Sequence, residues 1–200
     1  MIHIFEQGTL PTTFVLLHGT GGDEYDLIPL AKAILPGASI LSLRGNINEQ
    51  GMNRFFKRHA PGILDEASVV QETHNVMNFL TEASSTYSFS LNQAIALGYS
   101  NGANLLASLL FHYGDVFQGV LLHHPMMPLT NPNVIAQTSK IWIGAGSNDP
   151  IVPQPQTTEL HRVLQSAGAN VALEWYSAGH QLSAVELDAA TAQVQQWLNN

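Results

Sequence analysis

Gly98-Tyr99-Ser100-Asn101-Gly102 decides how the rest of the chain reads. It follows the apolar run Ala94-Ile95-Ala96-Leu97 and opens a stretch, Gly102 to Tyr113, that is apolar nearly all round. A strand running straight into a buried helix through such a turn forces the central residue into a strained backbone. Glycine two positions away on each side avoids the resulting clashes. The serine hydroxyl then stands at a sheet edge, at the positive end of a helix. An N-cap serine between turn glycines would carry the same letters, but it needs neither a buried strand before it nor a buried helix after it. Ser100 is the candidate nucleophile.

Outward from this turn, β-rich runs occur at Thr13–His18, Ser39–Leu43, Gln93–Tyr99, Gln118–His123, Lys140–Gly144 and Asn170–Tyr176. Runs such as Phe14-Val15-Leu16-Leu17 lack polar alternation, as strands covered on both faces do. Helical patterns lie between them: Asp65 to Thr86, Gly102 to Tyr113, Pro155 to Ala167 with Gly168 as a C-cap, and Leu182 to Leu198. The alternation predicts an α/β fold, a mostly parallel central sheet with helices on both faces. Right-handed crossovers gather the loops after each strand on one edge, where ligands bind. We find no repeat, linker or low-complexity run, so residues 1–200 read as a single domain. The segment 44–62 departs from the pattern. With Gly45, Gly51, Pro61 and the cluster Arg54-Phe55-Phe56-Lys57-Arg58, it reads as a long loop with a short helix, inserted at the active edge.

Composition narrows the function classes. Apolar residues make up 45% and charged residues 11%, which excludes disorder. Fifteen acids against seven bases give a charge of −8, a poor match for nucleic acid or an anionic membrane. The absence of cysteine removes disulfides, thiolate metal sites and thiol nucleophiles. The start, Met1-Ile2-His3-Ile4-Phe5-Glu6, lacks the basic and apolar regions of a signal peptide, so the expected location is cytoplasmic. The apolar stretch from Ala103 to Phe111 is far too short for a bilayer.

A serine nucleophile needs a base and a group to orient it, and this topology orders them serine, acid, histidine. Asp149 stands in the loop Gly146-Ser147-Asn148-Asp149-Pro150 after one predicted strand, and His180 in Ser177-Ala178-Gly179-His180 after the next. A turn-starting Asp-Pro and an N-cap-region histidine are the bland alternatives. Attack on a carbonyl creates an oxyanion, for which backbone N–H groups must be aimed. Asn101, after the nucleophile, supplies one, and Thr20 in His18-Gly19-Thr20-Gly21-Gly22-Asp23 the other. A dinucleotide loop would need glycine where Glu24 stands, and an acid there repels pyrophosphate. His123-His124-Pro125 ends a strand on the active edge. Adjacent strand residues point to opposite faces, so this pair is not expected to hold one metal ion, and His124 is taken as lining the pocket. No metal or cofactor is expected.

Together, Leu17 to Asp23, Gly98 to Asn104, Gly146 to Pro153 and Gly179-His180-Gln181-Leu182 resemble the α/β-hydrolase superfamily. Within it they are similar to the small bacterial phospholipase/carboxylesterase (acyl-protein thioesterase-like) family, nearest to its cytoplasmic hydroquinone- and metal-stress-inducible carboxylesterases. Arg44-Gly45-Asn46 and Arg54-Phe55-Phe56 with Arg58 carry that last likeness. The resemblance covers almost the whole chain. It implies Ser100 as nucleophile, Asp149 as acid, His180 as base, Thr20 and Asn101 as the oxyanion hole, and no large cap domain. Asn101 replaces the glutamine usual in acyl-protein thioesterases, which argues against long acyl chains. The reading is a serine carboxylesterase for small esters. Arg44 and Arg54, with Phe55 and His124, are expected to bind substrate, and paired arginines favour esters bearing a carboxylate. The alternatives are a thioesterase or lysophospholipase, a dienelactone-type hydrolase (a class that generally carries cysteine), and a non-catalytic binding module. Either a monomer or a homodimer fits.

Overall fold

Seven strands make one sheet in the computed structural model, which describes residues 1–199. In chain order the elements are β1 (His3–Glu6), β2 (Thr13–Leu17), α1 (Ile28–Ile34), β3 (Ser39–Leu43), β4 (Ile47–Glu49), β5 (Met52–Arg54), β6 (Arg58–Ala60) and β7 (Ile63–Leu64). There follow α2 (Glu66–Thr86), β8 (Ile95–Tyr99), α3 (Asn101–Tyr113), β9 (Gly119–His123), β10 (Lys140–Gly146), α4 (Gln154–Ser166), β11 (Asn170–Tyr176) and α5 (Ala184–Leu198). The sheet runs β1-β3-β2-β8-β9-β10-β11, and only β1 is antiparallel to its neighbour. This is the α/β-hydrolase arrangement, with helices on both faces and no large cap domain among the described residues.

The unbroken apolar strands are explained by two cores, one on each face of the sheet. Phe14 and Leu16 of β2, Leu97 of β8, Leu121 of β9 and Trp142 of β10 pack with Ile28, Ala31 and Ile34 of α1 and Val194 and Trp197 of α5. Val15, Leu17, Ala96, Val120, Leu122, Ile141 and Ile143 face the other way, onto Val69, Val76 and Leu80 of α2, most of α3, and Leu160 and Leu164 of α4. Each fully buried leucine contributes about 1.5–3 kcal/mol by leaving water.

Two elements escape the sequence reading. β1 is a four-residue edge strand, half-buried throughout. α1 has only seven residues, with Leu27 at its N-cap and no capping side chain, so Pro29 in its first turn is its one weak start signal. The 44–62 segment is a correction: it contains no helix but a hairpin, β4–β5, and the start of a second, β6–β7. No helix among the described residues is long and apolar enough to cross a membrane.

Parallel pairing brings the strand ends together. Leu17 lies beside Gly98, Tyr99 beside His123, and Gly146 beside Tyr176. The residues that follow those ends therefore meet on one edge.

Candidate active site

Ser100 joins β8 to α3 with φ 52° and ψ −109°, a region that side-chain-bearing residues rarely adopt. Its N–H donates to His123 O (2.9 Å), and the Gly102 N–H donates to His18 O (3.1 Å). Space enforces the glycines. A Cβ at Gly102 would fall 2.1 Å from Leu17 O, and one at Gly98 would fall 2.7 Å from Ala103 N. The turn is thus pressed between two strand ends, and the serine side chain is what projects.

His180, in the loop after β11, meets it. Its Nε2 is 2.8 Å from Ser100 Oγ, and its Nδ1 is 2.7 Å from Asp149 Oδ2. Asp149 Oδ1 accepts the N–H groups of Ile151 (2.8 Å) and Val152 (3.0 Å). Burial pushes the Asp149 carboxyl up, but the Val152 N–H, the His180 ring and the Ile151 N–H outweigh it and hold it below the usual range. An ionised Asp149 fixes the Nδ1–H tautomer of His180 and leaves Nε2 to accept a proton. The Tyr99 hydroxyl donates to His180 O (2.6 Å), tying the histidine loop to the residue before the serine. Tyr99 occupies a variable position of the turn motif, and nothing in the sequence marks it.

The glycine-rich loop after β2 is built from its neighbours. His18 is 1% exposed; its Nε2 accepts the Gly45 N–H (3.1 Å) and its Nδ1 faces Gly19 O. Burial lowers its pKa, so the ring stays neutral. Gly21 N–H donates to Asn53 O, Asn53 Nδ2 donates to Gly22 O, and Arg54 Nη1 donates to Thr20 Oγ1, all at 2.9 Å. Asn101 Oδ1 accepts the Phe55 N–H (2.7 Å). No protein acceptor engages the backbone N–H of Thr20 or Asn101 among the described residues.

The expected substrate binders are placed elsewhere. Arg54 is 4% exposed and also donates to Phe56 O (3.3 Å), so its guanidinium braces the loop rather than facing an opening. Arg44 grips Glu24 through two nitrogens. Phe55 is 1% exposed and packs in the core with its ring against His18. His124 is likewise 1% exposed. The reason is its backbone: φ is +51°, which ends strand alternation and turns its ring toward the same carboxylate that His123 reaches. That acceptor, Glu186, is fully buried. In the sequence it reads as half of a capping box with Ser183, whose Oγ accepts the Glu186 N–H (3.2 Å). His124, Asp149 and His180 place ring nitrogens and a carboxylate oxygen within 4.8 Å of one another. Within this cluster Asp149 and His180 are hydrogen-bonded to each other.

A cavity of about 630 Å³ opens between β6–β7, the segment after β9 and α4, lined by Met126, Met127, Leu129 and Gln156 among others but by none of Ser100, Asp149 and His180. The serine is half-buried on the edge where the strand ends meet. Met52, which lies against Gly21, and Ile151, two residues beyond Asp149, are exposed apolar side chains on that edge.

Comparison with known families places this geometry. Residues 46–199, which include Ser100, Asp149 and His180, match the model of the dienelactone hydrolase family. The chain belongs to the dienelactone hydrolase family. It is 44% identical over 191 residues to the Bacillus subtilis (strain 168) protein described as "Putative hydrolase MhqD", covering 95% of this chain and 96% of that one. The crystal structure of the Bacillus cereus carboxylesterase superposes with a TM-score of 0.92 at 44% identity, over 98% of this chain and 93% of the other. The structure of YahD with malic acid gives 0.91 at 31% identity over 98% of both. As a dienelactone hydrolase family member the protein is a hydrolase enzyme. This member of the family has no cysteine and sets a serine at the turn.

Proposed function

We propose that the protein hydrolyses small carboxylic esters through a covalent acyl-enzyme on Ser100. The observation that carries this reading is the unbroken chain Ser100 Oγ, His180 Nε2, His180 Nδ1, Asp149 Oδ2, with contacts of 2.8 and 2.7 Å, on a turn strained as a nucleophile requires. His180 takes the hydroxyl proton as Ser100 Oγ attacks the ester carbonyl. Asp149 holds the ring and balances the imidazolium that forms. The N–H groups of Thr20 and Asn101 receive the developing oxyanion. His180 then gives its proton to the departing alcohol. Water repeats the cycle on the acyl-enzyme and releases the acid.

The substrate is a small molecule. The exposed Met52 and Ile151 on that edge suit short esters with little demand for an enclosing tunnel. A preference for a carboxylate-bearing ester loses its main support, since Arg54 is buried on Thr20 and the half-exposed Arg44 is already paired with Glu24. Malic acid accompanies the YahD structure, so malate esters belong in the panel beside neutral ones.

The test is intact mass spectrometry after fluorophosphonate treatment, with kinetics on the ester panel. We expect one adduct on the wild type, none on Ser100→Ala, and a loss of kcat of about 10⁴-fold or more in that variant. An unlabelled but folded wild type would bring the non-catalytic binding reading forward.

A further inference from the structure

Behind the candidate triad lies a second acid–histidine pair that the ester chemistry leaves without a task. Glu186, in the first turn of α5, sends its carboxylate into the protein, and nothing of the side chain is exposed. His123 Nδ1 lies 2.6 Å from Oε1 and His124 Nε2 lies 3.1 Å from Oε2. The seat is built for it: a Cβ at Gly144 would stand 2.6 Å from Oε1. A buried ionic cluster of this kind is a poor way to gain stability, because an apolar set of the same volume does as well or better.

The other side of the His124 ring faces the triad. Its Nδ1 is 3.4 Å from Asp149 Oδ2, a charge-pair distance without hydrogen-bond geometry, and it has no other partner. Both ring nitrogens therefore look at carboxylate oxygens. A neutral imidazole has one N–H and one lone pair, so one carboxylate would face a lone pair in a dry site. Asp149 already accepts two backbone N–H groups and the His180 ring, which an ionised carboxylate does. Glu186 accepts from His123 as well. Two ionised acids on either side call for protons on both nitrogens of the ring between them.

We propose that His124 is a buried imidazolium bridging Glu186 to Asp149, and that this pair is a positioning device for the triad. It holds Asp149 as an ionised acceptor and keeps a second proton off His180. The proposal rests on the triad reading above. The groups facing His124 are Glu186 from α5, Asp149 from the loop after β10, the Tyr99 ring edge-on at 6.0 Å, and the His180 ring at 5.3 Å. Its neighbour His123 shares Glu186 and packs on Trp142. Of the charges added by the pair, the cation is the nearer to His180. Its loss should make His180 easier to protonate.

Two measurements test this. Nitrogen-15 spectra of the histidine side chains of the wild type, with His124 assigned by through-bond connection to its own backbone, should show two N–H protons on that ring at neutral pH. The acid limb of the kcat/KM profile should move to higher pH, by about half a unit to one unit, in both Glu186→Gln and His124→Gln. A single proton on the wild-type ring overturns the proposal, and needs no variant to fold. Folded variants that lose thermal stability but keep the wild-type limb reduce the pair to a strut, and also overturn it. Failure of Ser100 to label would sink the triad while leaving the proton count readable.

Discussion

Ser100 is held at its strained φ and ψ by hydrogen bonds to two neighbouring strand ends and by the absence of side chains at Gly98 and Gly102. The backbone cannot relax without parting β2 from β8. Gly102→Ala should therefore cost at least about 3 kcal/mol, because the methyl group meets a backbone carbonyl rather than a movable side chain. Urea unfolding of that variant checks it; a change under about 1 kcal/mol would show that the turn is not clamped. The glycine requirement was visible in the sequence because motif, strand and helix agreed. So were Asp149 and His180, each placed by its order after a strand. His124 was misread because the alternation rule assumes extended backbone, and its φ of +51° is not encoded in its own identity. Glu186 was hidden by a commoner use of the same letters, the capping box.

At the scale of elements, the β4–β5 hairpin is the part that the sequence disguised. Gln50 and Gly51 both have positive φ, the requirement of a tight hairpin turn, and Asn48 Oδ1 accepts the Gly51 N–H (2.9 Å). Gln-Gly is a weaker signal than Asn-Gly, and three-residue strands leave little periodicity to find. The hairpin's hydrogen bonds with Gly21, Gly22 and Thr20 brace the loop whose Thr20 N–H we propose as an oxyanion donor. Arg54→Met keeps the buried stem and removes the bond to Thr20. We expect kcat to fall about 10-fold or more with KM little changed, as when the support of an oxyanion donor is loosened. Ester kinetics with the fold confirmed by circular dichroism decide it; unchanged kcat would return Arg54 to packing alone.

For the whole molecule, buried charge sets the response to acid. Burial would push the Glu186 carboxyl up, but its bonds from His123 and His124 hold it down to about 2. Glu24 is held low by Arg44 against its own burial. A folded pKa below the unfolded one means that the folded state binds fewer protons. Stability is then complete above the ordinary carboxylate range and is lost as pH falls through it. Glu186 alone contributes about 3 kcal/mol on this basis, lost between about pH 4.5 and 2. The neutral His18 acts in the same direction, beginning below about pH 6.5. Below about pH 6.5 the urea midpoint should dip gently to pH 5 and drop steeply below 4.5. A midpoint unchanged between pH 7 and pH 4 would contradict this. The mostly parallel sheet and its two helical layers were legible because long apolar runs admit few architectures; the charges inside them were not, since the burial of an acid depends on partners distant in sequence.

The division of the interior by the sheet has a consequence for how this chain tolerates change. Leu16 and Leu17 are covalent neighbours, yet one belongs to the compartment under α1 and α5 and the other to that under α2, α3 and α4. A mutational scan along β2 would find no permissive position, and injuries at adjacent residues would be felt in different rooms. Repair by a compensating substitution would have to come from the same side of the wall, so the two halves of the interior are free to drift as separate lineages of packing while sharing one backbone.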